Sequence, residues 1–212
     1  MTGIENFGLY LFSAFIFTIT PGLDTLLVLN RSLTGGRRAG TLSSIGISIS
    51  IMCHTTLAAF GLSLLIAQSE TAFAVLKYLG AAYLCYMGLS SIIPRKAGEL
   101  TPQKPEEGPA RDSGYYLFSG LTTNLLNPKV ILFFLAFFPQ FVSKGSLHAP
   151  APYIILGLTY SVMSVIWLSF LSWFASSLAN RLLHSRGFKV WMDRFSGLIF
   201  IIMGIKIALT EK

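Results

Sequence analysis

The chain is poor in charge and has few side chains suited to catalysis. Only 12% of its 212 residues are Asp, Glu, Lys or Arg, whereas soluble domains carry about 25%. Its two cysteines, Cys53 and Cys85, lie in apolar stretches and form no Cys-x-x-Cys pair, which favours buried small residues over redox chemistry. We find no nucleophile triad, metal-ligand cluster or nucleotide-binding fingerprint. The sequence therefore predicts neither an enzyme nor a bound cofactor or metal.

Hydrophobic residues, in contrast, make up 53% of the chain and are concentrated in six runs. The runs reach or approach the roughly 20 apolar residues that a membrane-spanning helix needs. They cover residues 7–29, 41–67, 71–93, 115–138, 153–178 and 190–210. No basic segment precedes the first run, so we expect a retained helix rather than a cleaved signal peptide. The predicted fold class is an all-α integral membrane protein with six transmembrane helices.

The net charge of +7 arises mostly from loops beside the apolar runs. Eleven cations follow the first, third and fifth runs, whereas the opposite side offers only Lys144 and Lys212. Cytoplasmic loops carry such an excess. The pattern therefore predicts that this side is cytoplasmic, that both termini lie outside, and that the basic residues face a lipid bilayer rather than nucleic acid. The eleven are Arg31, Arg37, Arg38, Arg95, Lys96, Lys104, Arg111, Arg181, Arg186, Lys189 and Arg194.

Residues 94–114 form a predicted cytoplasmic linker with four prolines and three glycines, a composition that cannot bury enough apolar surface to fold alone. The linker separates two units of three helices, residues 1–93 and 115–212. Pro21 and Pro128 interrupt the first helix of each unit, and the third helices share an aromatic and glycine pattern ending in Met-Gly. An odd number of helices per unit predicts inverted repeats, a plan common among secondary transporters. An unduplicated six-helix bundle is the alternative.

The first run carries a helix breaker in its middle. Pro21 has no backbone N–H, so the carbonyl of Phe17 loses its helical partner, and Gly22 lets the chain bend. In hydrocarbon such a carbonyl costs several kcal/mol unless a polar group meets it. The break also creates two half-helices whose ends face the bilayer centre. One end suits a carboxylate and the other an ammonium group, and a zwitterionic amino acid has both.

The fourth run repeats this arrangement in the sequence Asn-Leu-Leu-Asn-Pro-Lys. Pro128 is predicted to free the carbonyl of Asn124, one turn earlier, and Asn127 is placed to cap the helix that follows. Two broken helices are therefore expected to meet near the middle of the membrane.

Three ionisable residues, Asp24, His54 and Lys129, lie at or near the middle of their runs, where a charge costs about 2.5–3.5 kcal/mol on insertion scales. Each should face the protein interior. Asp24 is predicted to be functional, the alternative being that it only stabilises the second half-helix. Lys129 either binds a substrate carboxylate or neutralises Asp24. His54 is either a packing residue or a proton relay, for which the ordinary imidazole pKa of about 6.5 is suitable.

Four motifs resemble those of the LysE/RhtB family of amino-acid exporters. Nearly the whole chain takes part in the resemblance, and one departure is Leu23, where the family usually has a second proline. The motifs are "TPGLD" (Thr20–Asp24), "GRRAG" (Gly36–Gly40), "NPK" (Asn127–Lys129) and "PQF" (Pro139–Phe141). The resemblance implies export of amino acids or derivatives such as homoserine, threonine, lysine or homoserine lactone from a bacterial inner membrane, driven by the proton gradient.

The combined prediction is a six-helix exporter of a small amino acid in exchange for protons. Asp24 is the predicted proton or ammonium site, and Lys129 and Asn127 form the carboxylate side. The remaining candidate site residues are Thr20, Pro21, Gly22, His54, Asn124 and Pro128. The alternatives are a channel-like facilitator, and an electron carrier, which would need a reactive cysteine in each unit. Helix faces rich in small residues would also permit a homodimer.

Overall fold

The computed structural model describes residues 3–62, 70–93, 112–175 and 186–209. These residues are almost entirely helical, and the described part contains no β-sheet, only an isolated antiparallel bridge between Ile4 and Val142. The α-helices described are α1 (Phe7–Ile19), α2 (Leu23–Leu57), α3 (Glu70–Ile92), α4 (Ser113–Leu125), α5 (Pro128–Leu132), α6 (Pro150–Trp173) and α7 (Arg186–Leu209).

Helical structure is present in all six predicted runs. By length and hydropathy, two of the described helices are able to span a membrane, Leu23–Gly61 and Pro150–Trp173. The bent pair Ser113–Leu125 and Pro128–Phe141 qualifies as a third if it forms one span. The chain thus has the character of a helical membrane protein, while the arrangement of six spans in two repeats stays a prediction. Most of the predicted linker, residues 94–111, lies outside the described residues.

Both predicted helix breaks are present. The first separates α1 from α2, where Thr20 (φ −64°, ψ 118°) and Gly22 (φ −155°, ψ −165°) are extended. The second bends the chain by 53° between α4 and α5. Asn127 caps α5 as predicted, since its side-chain Oδ1 accepts a hydrogen bond from the backbone N–H of Lys129 at 3.1 Å. Proline at the first position of a helix lacks only an N–H that would be unpaired anyway, so Pro128 starts α5 without penalty.

A sharp turn at Gly36 divides α2 into two arms, residues 23–35 and 37–57. Gly36 has φ 79° and ψ 175°, a conformation that favours glycine. A Cβ on Gly40 would collide with the hydroxyl of Ser32, although a straight helix would hold residues eight apart about 12 Å from each other. The arms therefore fold back on each other, and the turn lies between the first and second predicted runs.

Glycines bring the helix backbones into direct contact. A Cβ on Gly46 of α2 would collide with the carbonyl of Leu117 in α4, and a Cβ on Gly120 of α4 would collide with the carbonyl of Ser43 in α2. Small residues at helix interfaces allow such approach in a membrane, where packing and hydrogen bonds drive association. The same helix pair is joined by a hydrogen bond from Ser43 Oγ to the carbonyl of Tyr116 at 3.2 Å.

Helices α3 and α7 make a second close contact, and its pattern is reciprocal. A Cβ on Gly88 would meet the carbonyl of Gly197 at 2.5 Å, and one on Gly204 would meet the carbonyl of Ala81 at 2.8 Å. The residue numbers rise on one helix as they fall on the other, so the pair is antiparallel. Two equivalent helices crossing on a twofold axis would produce this reciprocity, and it supports the predicted repeat, which stays a prediction.

An aromatic core lies beside the breaks. After α5 the chain continues as a π-helical turn, Phe133–Phe137, and a 3-10 turn, Phe138–Phe141. The ring of Phe133 stacks on that of Phe17 at 4.0 Å between centroids and lies 5.2 Å from that of Tyr160. These buried rings fix α1, α5 and α6 around the point where the two breaks meet.

Candidate functional site

The two helix breaks meet at a small cavity, which also receives side chains from α6. Its volume is about 20 Å³, enough for roughly one water molecule. An amino acid is several times larger than a water molecule, so the cavity in this conformation is too small to hold one. The cavity is lined by Phe17, Thr18, Thr20, Gly22, Leu23, Asp24, Thr25, Asn127, Lys129, Tyr160, Ser164 and Leu168.

Asp24 lies in the first turn of α2, where a carboxylate also complements the positive end of the helix. Its Oδ2 accepts a hydrogen bond from Nδ2 of Asn124 at 2.8 Å, across the interface with α4. Its Oδ1 is buried and has no hydrogen-bond partner in the described structure. Because an unpartnered buried acceptor is costly, this oxygen has the capacity to accept a further hydrogen bond.

Lys129 projects from the second break into the first. Its Nζ donates a hydrogen bond to the carbonyl of Phe17 at 3.4 Å and lies 4.3 Å from the centroid of the Phe17 ring. This carbonyl is the one that Pro21 was predicted to free. The group that meets it is therefore a cation of the protein itself, supplied by the other break, rather than a substrate ammonium.

Asp24 and Lys129, both predicted near the middle of their runs, line the same cavity. Within the described structure no direct hydrogen bond joins the two side chains: Asp24 bonds to Asn124 and Lys129 bonds to the carbonyl of Phe17. They come together because each lies directly after a helix break, Asp24 in the first turn of α2 and Lys129 at the start of α5. Of the described residues lining the cavity, these two carry its formal charges, and the charges balance.

Thr20 and Gly22, predicted site residues of the first break, also line the cavity. Thr20 is buried, and its Oγ1 bonds to the carbonyl of Ile16 at 2.6 Å and to Oγ of Ser196 at 2.9 Å. A Cβ on Gly22 would lie 3.7 Å from Nζ of Lys129, so the backbone passes beside the ammonium group. Pro21 is half-buried next to it.

Four predicted residues are not among those that line the cavity: Pro21, His54, Asn124 and Pro128. Pro128 is exposed at the start of α5, so its contribution is to the backbone break. His54 is buried and stacks on Phe134, with ring centroids 5.4 Å apart, beside the backbone of Asn124. Its Nε2 is buried without a partner in the described structure. The stacking fits the packing interpretation, and the relay stays a prediction.

The sequence interpretation missed the contribution of α6. Tyr160, Ser164 and Leu168 are spaced by four residues and present one face of the helix to the cavity. The hydroxyl-bearing residues Thr18 and Thr25 were also missed. The only available signal was the four-residue spacing of polar side chains in α6, which is common in helices that simply pack together.

The sequence profile of LysE type translocators matches residues 15–211. The chain belongs to the LysE type translocator family. A LysE type translocator is a transporter and not an enzyme, in agreement with the sequence interpretation.

Relatives of this LysE type translocator align with nearly its whole chain. It is 31% identical over 207 residues to the membrane protein YrhP of Bacillus subtilis (strain 168), covering 95% of this chain and 97% of that protein. It is 30% identical over 209 residues to the leucine efflux protein of Enterobacter sp. (strain 638), covering 97% and 96%. No solved structure matches it at a significant level.

Proposed function

We propose that this translocator exports a small neutral amino acid across the bacterial inner membrane in exchange for protons. The observation that carries the proposal is the meeting of two broken helices at a small cavity whose charged side chains are one carboxylate and one ammonium, Asp24 and Lys129. The similarity to leucine efflux proteins supports the same class of substrate.

The two charged groups match the two ends of a zwitterion. The free Oδ1 of Asp24 accepts the substrate ammonium, while the amide of Asn124 holds the other carboxylate oxygen. An ammonium group has three N–H donors, and Lys129 uses one of them on the Phe17 carbonyl. Its remaining donors bind the substrate carboxylate, with Asn127 beside it in the cavity wall.

The lining favours a neutral side chain on the substrate. Once the backbone charges of an amino acid are paired with Asp24 and Lys129, the cavity offers no further charged partner among the described residues. A lysine side chain would then enter with an unpaired charge, which is expensive in a buried site. Apolar groups such as Leu168 and hydroxyls such as Ser164 suit an aliphatic or hydroxylated side chain.

Proton coupling follows from competition for one carboxylate oxygen. Asp24 Oδ1 holds either the substrate ammonium or a proton, so release of one allows binding of the other. Because the cavity in this conformation is too small to hold an amino acid, transport requires alternate opening to each side, which we assign to rocking of the two predicted inverted units. In the proposed topology both termini lie outside and the Gly36 turn is cytoplasmic.

The test is leucine efflux against a leucine gradient in proteoliposomes with an imposed pH gradient. Asp24→Asn should abolish concentrative efflux while the protein still inserts into the membrane. Glu5→Gln is the matched control, because Glu5 is an exposed acid outside the cavity. Concentrative efflux by Asp24→Asn at the unmodified rate would refute the role of Asp24.

The same assay separates the rival functions. A channel-like facilitator would equilibrate leucine and never concentrate it, with or without a pH gradient. An electron carrier would depend on its cysteines. Both cysteines are free thiols, with Cys53 exposed and Cys85 half-buried.

A further inference from the structure

We propose that Arg31, Tyr115 and Ser119 form an entry site for the substrate carboxylate, on the path between the cavity and the basic side of the protein. The inference rests on the proposed function, because it assigns the first binding step of the same substrate. Arg31 follows Asp24 by seven residues on α2, which is nearly two helical turns, or about 10.5 Å along the axis. The two side chains therefore lie on the same face of the helix.

The guanidinium of Arg31 is held in place by neutral groups. Its Nη2 donates hydrogen bonds to the hydroxyl of Tyr115 at 2.8 Å and to that of Ser119 at 3.4 Å, and its Cζ lies 4.8 Å from the centre of the Tyr115 ring. Both partners belong to α4. These contacts orient the cation without neutralising it.

One donor of this guanidinium is conspicuously unused. Nε of Arg31 is buried and has no hydrogen-bond partner in the described structure, which leaves a polar group desolvated at a cost that a partner would remove. The planar guanidinium binds carboxylates through pairs of N–H groups. A carboxylate is therefore the chemistry that completes this site.

The position of the site indicates where that carboxylate comes from. The first arm of α2 and helix α4 run antiparallel, because Asp24 meets Asn124 while Arg31, further along, meets Tyr115 and Ser119. These two contacts join the helices on the side of the cavity that leads to the Gly36 turn, which is cytoplasmic in the proposed topology. A substrate approaching from that side passes Arg31 before it reaches the cavity.

Binding at the entry site also explains how this side opens. A carboxylate that binds Nε and Nη2 together competes with Tyr115 and Ser119 for Nη2, so it weakens the polar contact that Arg31 makes between the first arm of α2 and α4. The substrate then moves about two helical turns to the ammonium of Lys129, and Arg31 returns to its hydroxyl partners.

The experiment compares the two faces of the reconstituted transporter. Leucine exchange is measured with labelled leucine on the cytoplasmic or the external side, for the unmodified protein and for Arg31→Gln. We expect the half-saturating leucine concentration to rise roughly tenfold on the cytoplasmic side, as for loss of one charge-assisted hydrogen bond. It should not change on the external side, and the maximal rate should be retained.

Matched variants separate substrate binding from support of the fold. Arg38→Gln is the control, since Arg38 is an exposed cation on the same helix that also bonds to α4, through Ser113 Oγ at 3.3 Å. It should leave both half-saturating concentrations unchanged. Arg31→Lys keeps the charge without the planar fork and should give an intermediate increase. The amine 3-methylbutylamine, which lacks the carboxylate, should inhibit the unmodified protein and Arg31→Gln equally from the cytoplasmic side.

Several outcomes would overturn the entry site. An equal rise of the half-saturating leucine concentration on both faces would show that Arg31 is a structural contact. A lower maximal rate with an unchanged half-saturating concentration would show the same. If the effect of Arg31→Gln on the half-saturating concentration vanished in liposomes without anionic lipid, Arg31 would bind a lipid headgroup rather than the substrate. If the unmodified protein exchanges no amino acid from either face, the proposed function fails, and that result is distinct from a normal transporter in which Arg31→Gln has no effect.

Discussion

A single methyl group added at Gly46 should disturb the candidate site from a distance. A Cβ at this position would lie 2.9 Å from both the carbonyl carbon of Leu117 and the backbone N of Leu121, and closer still to the Leu117 oxygen. Ordinary van der Waals contact begins near 3.4 Å. All three atoms are backbone, so no side chain can move aside, and α2 must retreat from α4 by at least about half an ångström.

The size of the effect follows from overpacking in a close-packed interface. Gly46→Ala should lower the stability by about 1–3 kcal/mol, or roughly 3–10 °C in Tm for a chain of this length. Efflux should fall as well, because α4, which Gly46 contacts, also carries Asn124, whose amide bonds to Asp24 on the first arm of α2 at 2.8 Å, and a displaced α4 would disturb that bond. We expect the efflux rate to fall by more than the fraction of unfolded protein alone would explain.

Gly8→Ala provides the matched control. Gly8 lies in α1 with no atom within 4 Å of an added Cβ, so alanine should be neutral there or stabilise the helix by at most about 1 kcal/mol. Thermal unfolding of the detergent-purified variants and leucine efflux in proteoliposomes would measure both effects. If Gly46→Ala matched Gly8→Ala in Tm and in rate, α2 and α4 would not be packed backbone to backbone, and the argument would be wrong.

Three further predictions concern the cavity and its surroundings. Lys129→Met should raise the half-saturating leucine concentration roughly tenfold or more, because the substrate carboxylate loses its partner. Lys77→Met, which removes a cation 5.0 Å from a ring outside the cavity, should leave this concentration unchanged. Equal half-saturating concentrations in the two variants would exclude Lys129 from substrate binding. Thr20→Val should lower Tm, because it removes the hydroxyl that bonds α1 to α7; an unchanged Tm would make that bond irrelevant. Replacement of both Cys53 and Cys85 by Ser should leave efflux intact, and loss of activity would revive the electron-carrier alternative.

The breaks in the helices could be predicted because proline acts locally. Pro21 and Pro128 remove particular hydrogen bonds wherever they occur, and Asn127 caps the next helix through its own neighbour. The group that meets the carbonyl of Phe17 could not be predicted in this way. Lys129 follows that residue by 112 positions, and only the packing of α1 against α5 brings the two together.

The wall supplied by α6 was missed for a different reason. Ser164 and Leu168 are ordinary residues for a helix packed in a membrane, and nothing in their spacing distinguishes a cavity wall from an interface. Arg31 was interpreted as one of eleven loop cations that set topology. The positive-inside rule concerns the set of cations as a whole, whereas the contacts of Arg31 with Tyr115 depend on how α4 packs against α2.

The ammonium of Lys129, resting on the carbonyl of Phe17, bears on the return half of the transport cycle. In the proposed exchange cycle the carrier returns with a proton on Asp24 and without an amino acid, and an unpaired backbone carbonyl at mid-membrane would slow that movement. The ammonium of Lys129 meets this carbonyl from within the protein. The return step then needs a proton from the medium but no second cation to pair with the carbonyl.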